Sequence, residues 1–116
     1  MNSGQIQTVT VRDKLPGRLT DALVTLGRKY HKLGVELFIF GSFAQGKNRT
    51  NSDLDIGIEW SDKRNDHLLN QLEKEIRDLP TIRKIDLVDF SRVDNQFRQI
   101  AGQHRLYLRF LQEEKA

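Results

Sequence analysis

"VELFIFGSFAQGKNRTNSDLDIGIEW", Val35–Trp60, is the stretch whose reading decides the fold. It opens on a six-residue apolar run, 35–40, that ends at a glycine and reads as a buried strand. It closes on "DLDIGIEW", 53–60, where Leu54, Ile56 and Ile58 alternate with Asp53, Asp55 and Glu59. A period of two marks a strand with one face in the core and one face out. Between the two strands, "SFAQ" has room for a single helical turn, and "NRTNS", 48–52, is turn chemistry.

Outward from this pair the periodicity becomes helical. Leu19, Ala22, Leu23, Leu26, Tyr30 and Leu33 share one helix face, and Gly34 stops it. A second helix is predicted from near Ser61, with Leu68, Leu69, Leu72, Ile76 and Leu79 as its stripe and Pro80 as its end. "IRKIDLVDF", 82–90, is a third strand with Ile85 and Leu87 facing in and Asp89 at its end as a cap. Ser91 and Asp94 fit a capping box ahead of a last helix that carries Val93, Phe97, Ile100, Ala101, His104, Leu108 and Leu111. The expected fold class is α/β (α+β), a small mixed sheet with helices packed mainly on one face. With 116 residues the expectation is one domain, 1–116, with 1–14 as a flexible segment or an edge strand.

Composition narrows the function. No apolar run approaches the ~20 residues of a membrane span, so no membrane partner is expected and the default location is cytoplasmic. The chain has no cysteine, which excludes disulfides and thiolate metal sites. Its net charge of +3 is mild, and no aromatic residues interleave with basic ones, so nucleic acid is not an expected partner. His31, His67 and His104 fall on separate predicted helices or their ends and lack ligand spacing. Arg98, Arg105 and Arg109 line one side of the last predicted helix, the first candidate for a docking surface on a partner protein.

The segment Gly41–Lys47 nearly spells the phosphate loop G-x-x-x-x-G-K-[ST]. Asn48 stands where the magnesium-binding hydroxyl belongs, and turn residues follow where a helix must open. An NTPase loop is therefore not the reading, although Gly41 and Ser42 still suit close approach to a phosphate.

Asp53 and Asp55 leave the same strand face, roughly 7 Å apart at Cα. A lone D-x-D is commonly a solvated face. Asp86 changes the balance, because Ile85 and Leu87 turn it to the face opposite the core. With the two strands as neighbours, three carboxylates converge, and like charges at that range oppose ionisation. A divalent cation removes that cost. Oxygen ligands without cysteine favour Mg²⁺ or Mn²⁺ over Zn²⁺. Lys84 shares the face of Asp86, where solvation is its ordinary role.

Gly41-Ser42, Asp53-Leu-Asp55 after a polar turn, and Asp86 on a later strand together resemble the nucleotidyltransferase superfamily of DNA polymerase beta. The small size resembles its minimal branch, the MNT-type antitoxins. The resemblance spans residues 19–111. It implies the nucleotidyltransferase fold and metal-dependent transfer of a nucleoside monophosphate, AMP where ATP is the substrate, to an acceptor hydroxyl. It implies Asp53, Asp55 and Asp86 as catalytic carboxylates and ligands of two Mg²⁺ ions (or Mn²⁺). Asp86 is the candidate to take the hydroxyl proton. Gly41 and Ser42 would bind the phosphates of ATP or another NTP. The family commonly carries Arg where this chain has Gln45, and Lys47 and Arg49 are the nearby cations that could take its place. The resemblance further implies a helical HEPN-type toxin as partner, and thus a hetero-oligomer, with a homo-oligomer also open. Two other functions stay open: a non-catalytic antitoxin acting by occlusion, and a transferase for a small molecule or nucleic acid.

Overall fold

The apolar run of Val35–Phe40 becomes one of the two inner strands of a four-stranded mixed sheet in a computed structural model that describes residues 15–46 and 53–111. In chain order the elements are α1 (Gly17–Lys32), β1 (Val35–Phe40), α2 (Gly41–Ala44), β2 (Leu54–Trp60), α3 (Asp66–Arg77), β3 (Ile85–Asp89), α4 (Asn95–Ala101) and β4 (Leu106–Tyr107), followed by a 3-10 turn, Leu108–Phe110. The strand order is β3-β2-β1-β4. β1 runs antiparallel to both neighbours, whereas β3 lies parallel to β2, with α3 as the crossover.

Alternation divides the sheet into two unlike faces. Leu37 and Ile39 of β1 and Leu54, Ile56 and Ile58 of β2 are fully buried under Leu19, Leu23 and Tyr30 of α1 and Leu72 of α3. A side chain of this size contributes about 1.5–3 kcal/mol when buried, so this layer is the main source of cohesion. The opposite face carries Phe38 and Phe40 against Phe90, with Tyr107 beside them. Gly57 lies under these rings: a Cβ there would meet Phe38 Cζ at 2.4 Å. The small mixed sheet with helices mainly on one face is thus observed, α4 being the element associated with the second face.

Two boundaries differ from the sequence expectation. The second helix starts at Asp66 rather than near Ser61. Ser61 instead folds back on the residue that precedes β1, its N–H and Oγ both donating to the Gly34 carbonyl at 2.9 and 3.0 Å. Asn65 then caps the helix by accepting from the Leu68 N–H. The last helix is a short one, not a continuous element to Leu111. Asp94, rather than Ser91, is its N-cap, accepting from the Phe97 N–H at 2.8 Å. It ends at Gly102, after which Leu106 and Tyr107 pair with Ile39 and Phe38 as a fourth strand. The apolar spacing continued through Gly102, but β1 gains a hydrogen-bonded neighbour on its free side only if the helix breaks. Residues 1–14, including the candidate edge strand, lie outside the described residues. Among the described residues, no helix is long and apolar enough to cross a membrane.

Candidate active site

The site is built where β1 ends and β2 and β3 begin. In the β2/β3 ladder Asp55 stands directly opposite Asp86. Register partners point to the same side of a sheet, so both carboxylates rise from the aromatic face and away from the aliphatic core. Asp53 is exposed and immediately precedes β2. Across the other edge of β2, Asp55 pairs with Phe40, the last residue of β1.

Asp55 is partly buried beside the other two carboxylates. Partial burial, followed by the negative charges of Asp86 and then Asp53, holds its carboxyl above the usual range, while Lys84 acts the other way. Lys84 Nζ lies 3.7 Å from Asp86 Oδ1, in an exposed pair. Among the described residues, no group of three His, Cys, Asp or Glu side chains is arranged to hold a metal ion. The structure therefore places Asp55 and Asp86 side by side and Asp53 within electrostatic reach, without a finished three-ligand cage. The donor chemistry still fits a hard divalent cation: all three groups are carboxylates, and their mutual repulsion raises Asp55.

Gly41 turns the chain directly above this pair. Its φ is +75°, in the left-handed region, and a Cβ built on it would stand 2.5 Å from Asp55 Oδ2. Only glycine meets both conditions without strain. The sequence pointed to close approach of backbone to a ligand here; the close approach observed is to the carboxylate itself. The expected helical turn is α2, one turn long, with Phe43 buried and Ser42 exposed. Gln45 closes α2, its N–H donating to the Gly41 carbonyl. Lys47 and Arg49 lie outside the described residues. Arg83 approaches α2 from the turn before β3, its guanidinium 6.0 Å from the centre of the Phe43 ring.

The far end of the same face has a structural role. Glu36 and Glu59 are register partners, two like charges set opposite each other. Arg98 and Arg105 bind Glu59 at 2.7 and 3.0 Å, and Arg109 grips Glu36 with two nitrogens. The guanidinium of Arg105 also stacks 4.1 Å from the centre of the Phe38 ring. These arginines are thus engaged within the fold and do not form a stripe on one helix. Half-buried carboxylates drew them inward. Asp89 does cap its strand end, accepting from the Ser91 N–H and hydroxyl, the Trp60 indole and Arg64. Its carboxyl is held below the usual range by those donors against the opposing effect of burial. His31 comes within 3.9 Å of Glu36, and His67 and His104 are exposed.

The crossover-linked β2/β3 pair with its opposed aspartates, and the glycine-serine turn beside it, lie within the reach of one family model. The polymerase beta, nucleotidyltransferase model matches residues 28–109. The chain belongs to that nucleotidyltransferase family. The match runs from α1 to the 3-10 turn and so includes every strand of the sheet. Among solved structures, the chain is similar to the crystal structure of a toxin-antitoxin with AMP-PNP, with a TM-score of 0.57 and 22% identity over 77% of this chain and 71% of that one. At that identity the likeness concerns the fold. No curated protein matches the chain.

Sequence reasoning overlooked the aromatic layer that borders the carboxylates. Its signal was present in Phe38 and Phe40, two residues apart on one strand and therefore on one face. The partners, Phe90 just after β3 and Phe97 on α4, became visible only with the tertiary packing.

Proposed function

We propose that this chain is a minimal, metal-dependent nucleotidyltransferase, one domain over its length, that moves AMP from ATP to a hydroxyl on a partner protein. We further propose that it is the antitoxin of a HEPN/MNT-type pair. Family membership supports the reaction class. The observation that carries the assignment is the register pairing of Asp55 with Asp86 beneath Gly41. The likeness in fold to a toxin-antitoxin crystallised with AMP-PNP supports both the nucleotide and the kind of partner.

In this reading Asp53, Asp55 and Asp86 hold Mg²⁺, or Mn²⁺, with two ions in the full site. When bound, the metal neutralises charge on the phosphates and on the attacking and leaving oxygens. The chain's own groups supply position. Ser42 and the backbone around Gly41 bind the β- and γ-phosphates, with Lys47 and Arg49 as further cations. Asp86 accepts the proton of the acceptor hydroxyl. The acceptor oxygen bonds to the α-phosphorus, the bond from that phosphorus to the β-phosphate oxygen breaks, and pyrophosphate leaves. No covalent enzyme intermediate is needed, because phosphoryl transfer depends on alignment and charge stabilisation.

The experiment is incubation with ATP labelled at the α-phosphate, Mg²⁺ and the cognate partner. The expected result is label on the partner, lost in Asp53→Ala and Asp86→Ala variants that keep wild-type melting curves. Full transfer by Asp86→Ala would refute the carboxylate assignment. Tight binding of the partner without label would instead identify an antitoxin that acts by occlusion. Label on an aminoglycoside or a tRNA end would identify a small-molecule or nucleic-acid transferase.

A further inference from the structure

Among the described residues, the aromatic layer beside the carboxylates ends in an exposed ring. Phe97, on the first turn of α4, meets Phe40 edge-on and Phe90 at a tilt, with 6.4 and 5.8 Å between ring centres. It nevertheless remains 40% exposed, and Ile100, one turn further along the helix, is 61% exposed. Phe40 and Phe90, which lie beneath it, are at most 5% exposed. Phe40 is also the register partner of Asp55 and shares its face. A single ring therefore separates the open surface of Phe97 from the carboxylate row. Asp94 caps the helix at Phe97, and Arg98, its neighbour, is bound to Glu59 and to the Phe90 carbonyl. The ring thus sits between the N-cap and an anchored arginine of its short helix.

We infer that Phe97 is the stacking platform for the base of the nucleoside triphosphate, with Ile100 extending the apolar shelf. This rests on the nucleotidyltransferase reading of the same site. A nucleotide whose phosphates lie at Asp55 and Asp86 must put its base about a sugar's length away. On the Phe40 side of Asp55 that position is apolar and aromatic. Among the described residues, Ile82 on the turn before β3 is also a large exposed apolar group, but its side chain is aliphatic and has no π-face to offer a base. Base–aromatic stacking is sequence-tolerant, because every base presents a π-face. The platform therefore supplies affinity for nucleotides as a class more than discrimination among them.

The test compares ATP with inorganic tripolyphosphate, which has the phosphates and no base, by calorimetry on the full chain in Mg²⁺. Phe97→Ala should weaken ATP about tenfold and leave tripolyphosphate unchanged. Phe97→Leu keeps an apolar cover over Phe40, so it separates loss of packing from loss of stacking; it too should lose ATP affinity selectively. Phe97→Trp should restore or exceed the wild-type value. ATP affinity unchanged in both the Ala and Leu variants, or ATP and tripolyphosphate falling together, would overturn the assignment while leaving the phosphate site standing. If the wild-type chain bound neither ligand, the nucleotidyltransferase reading would fail and the platform with it.

Discussion

Replacing Gly41 with alanine tests the geometry of the site first through stability, which needs no acceptor. Two costs are separable. A φ of +75° places alanine in the left-handed region, which costs roughly 1–2 kcal/mol. The new Cβ would also stand 2.5 Å from Asp55 Oδ2. That oxygen is the far end of a side chain, so the contact is relieved by turning the carboxylate, at about 0.5–1.5 kcal/mol for a ~30° departure from its rotamer. The sum is about 2–3 kcal/mol, or roughly 10 °C in Tm for a chain of this size. Gly46 is the internal comparison: its φ is +74° and, among the described residues beyond its chain neighbours, no atom lies within 4 Å of a built Cβ, so Gly46→Ala should carry the conformational cost alone. Asp55→Ala removes the contact. Gly41→Ala made in that background should therefore cost about 1 kcal/mol less than in the wild-type background. Urea denaturation of the four chains of the cycle measures this directly. Nucleotide transfer should fall far more than stability in Gly41→Ala, because ~1 Å of misplacement costs about a hundredfold in rate. Equal costs with and without the Asp55 carboxylate would refute the contact.

Two further outcomes follow from the charges. Asp55 binds its proton more tightly folded than unfolded, so its contribution is complete below the ordinary aspartate pKa of about 4 and is lost as pH rises through the raised value. In a chelating buffer Asp55→Asn should therefore melt higher than wild type at neutral pH, with the two Tm curves converging in acid; parallel curves would remove the strain assigned to Asp55. Glu59→Gln leaves Arg98 and Arg105 facing a neutral acceptor and should cost about 1–2 kcal/mol, seen as a lower urea midpoint at unchanged slope.

Much of this was legible in the chain. Leu54, Ile56 and Ile58 alternate with the acidic residues, and that period alone fixed which face of β2 would pack on the aliphatic core; it did not show that Phe38 and Phe90 cover the other face over Gly57. The same logic oriented Asp86 on β3. The first helix ran as its spacing required, from Gly17 to Lys32. The last segment misled because apolar residues at helical intervals crossed Gly102 without interruption, and a two-residue strand is too short to show alternation. The arginines misled because spacing describes a helix face and says nothing of the carboxylates across the sheet that recruit them.

What the sequence by itself determined is local: which residues alternate, where glycine lets the chain turn, and which side of a strand each aspartate leaves. Such facts depend on neighbours a few bonds away. Only the tertiary structure decided that Asp86 lies opposite Asp55, that Gly41 sits against that carboxylate, and that Phe97 stands one ring from it. Those are matters of register and packing between distant segments, set by burying the two layers of the sheet together.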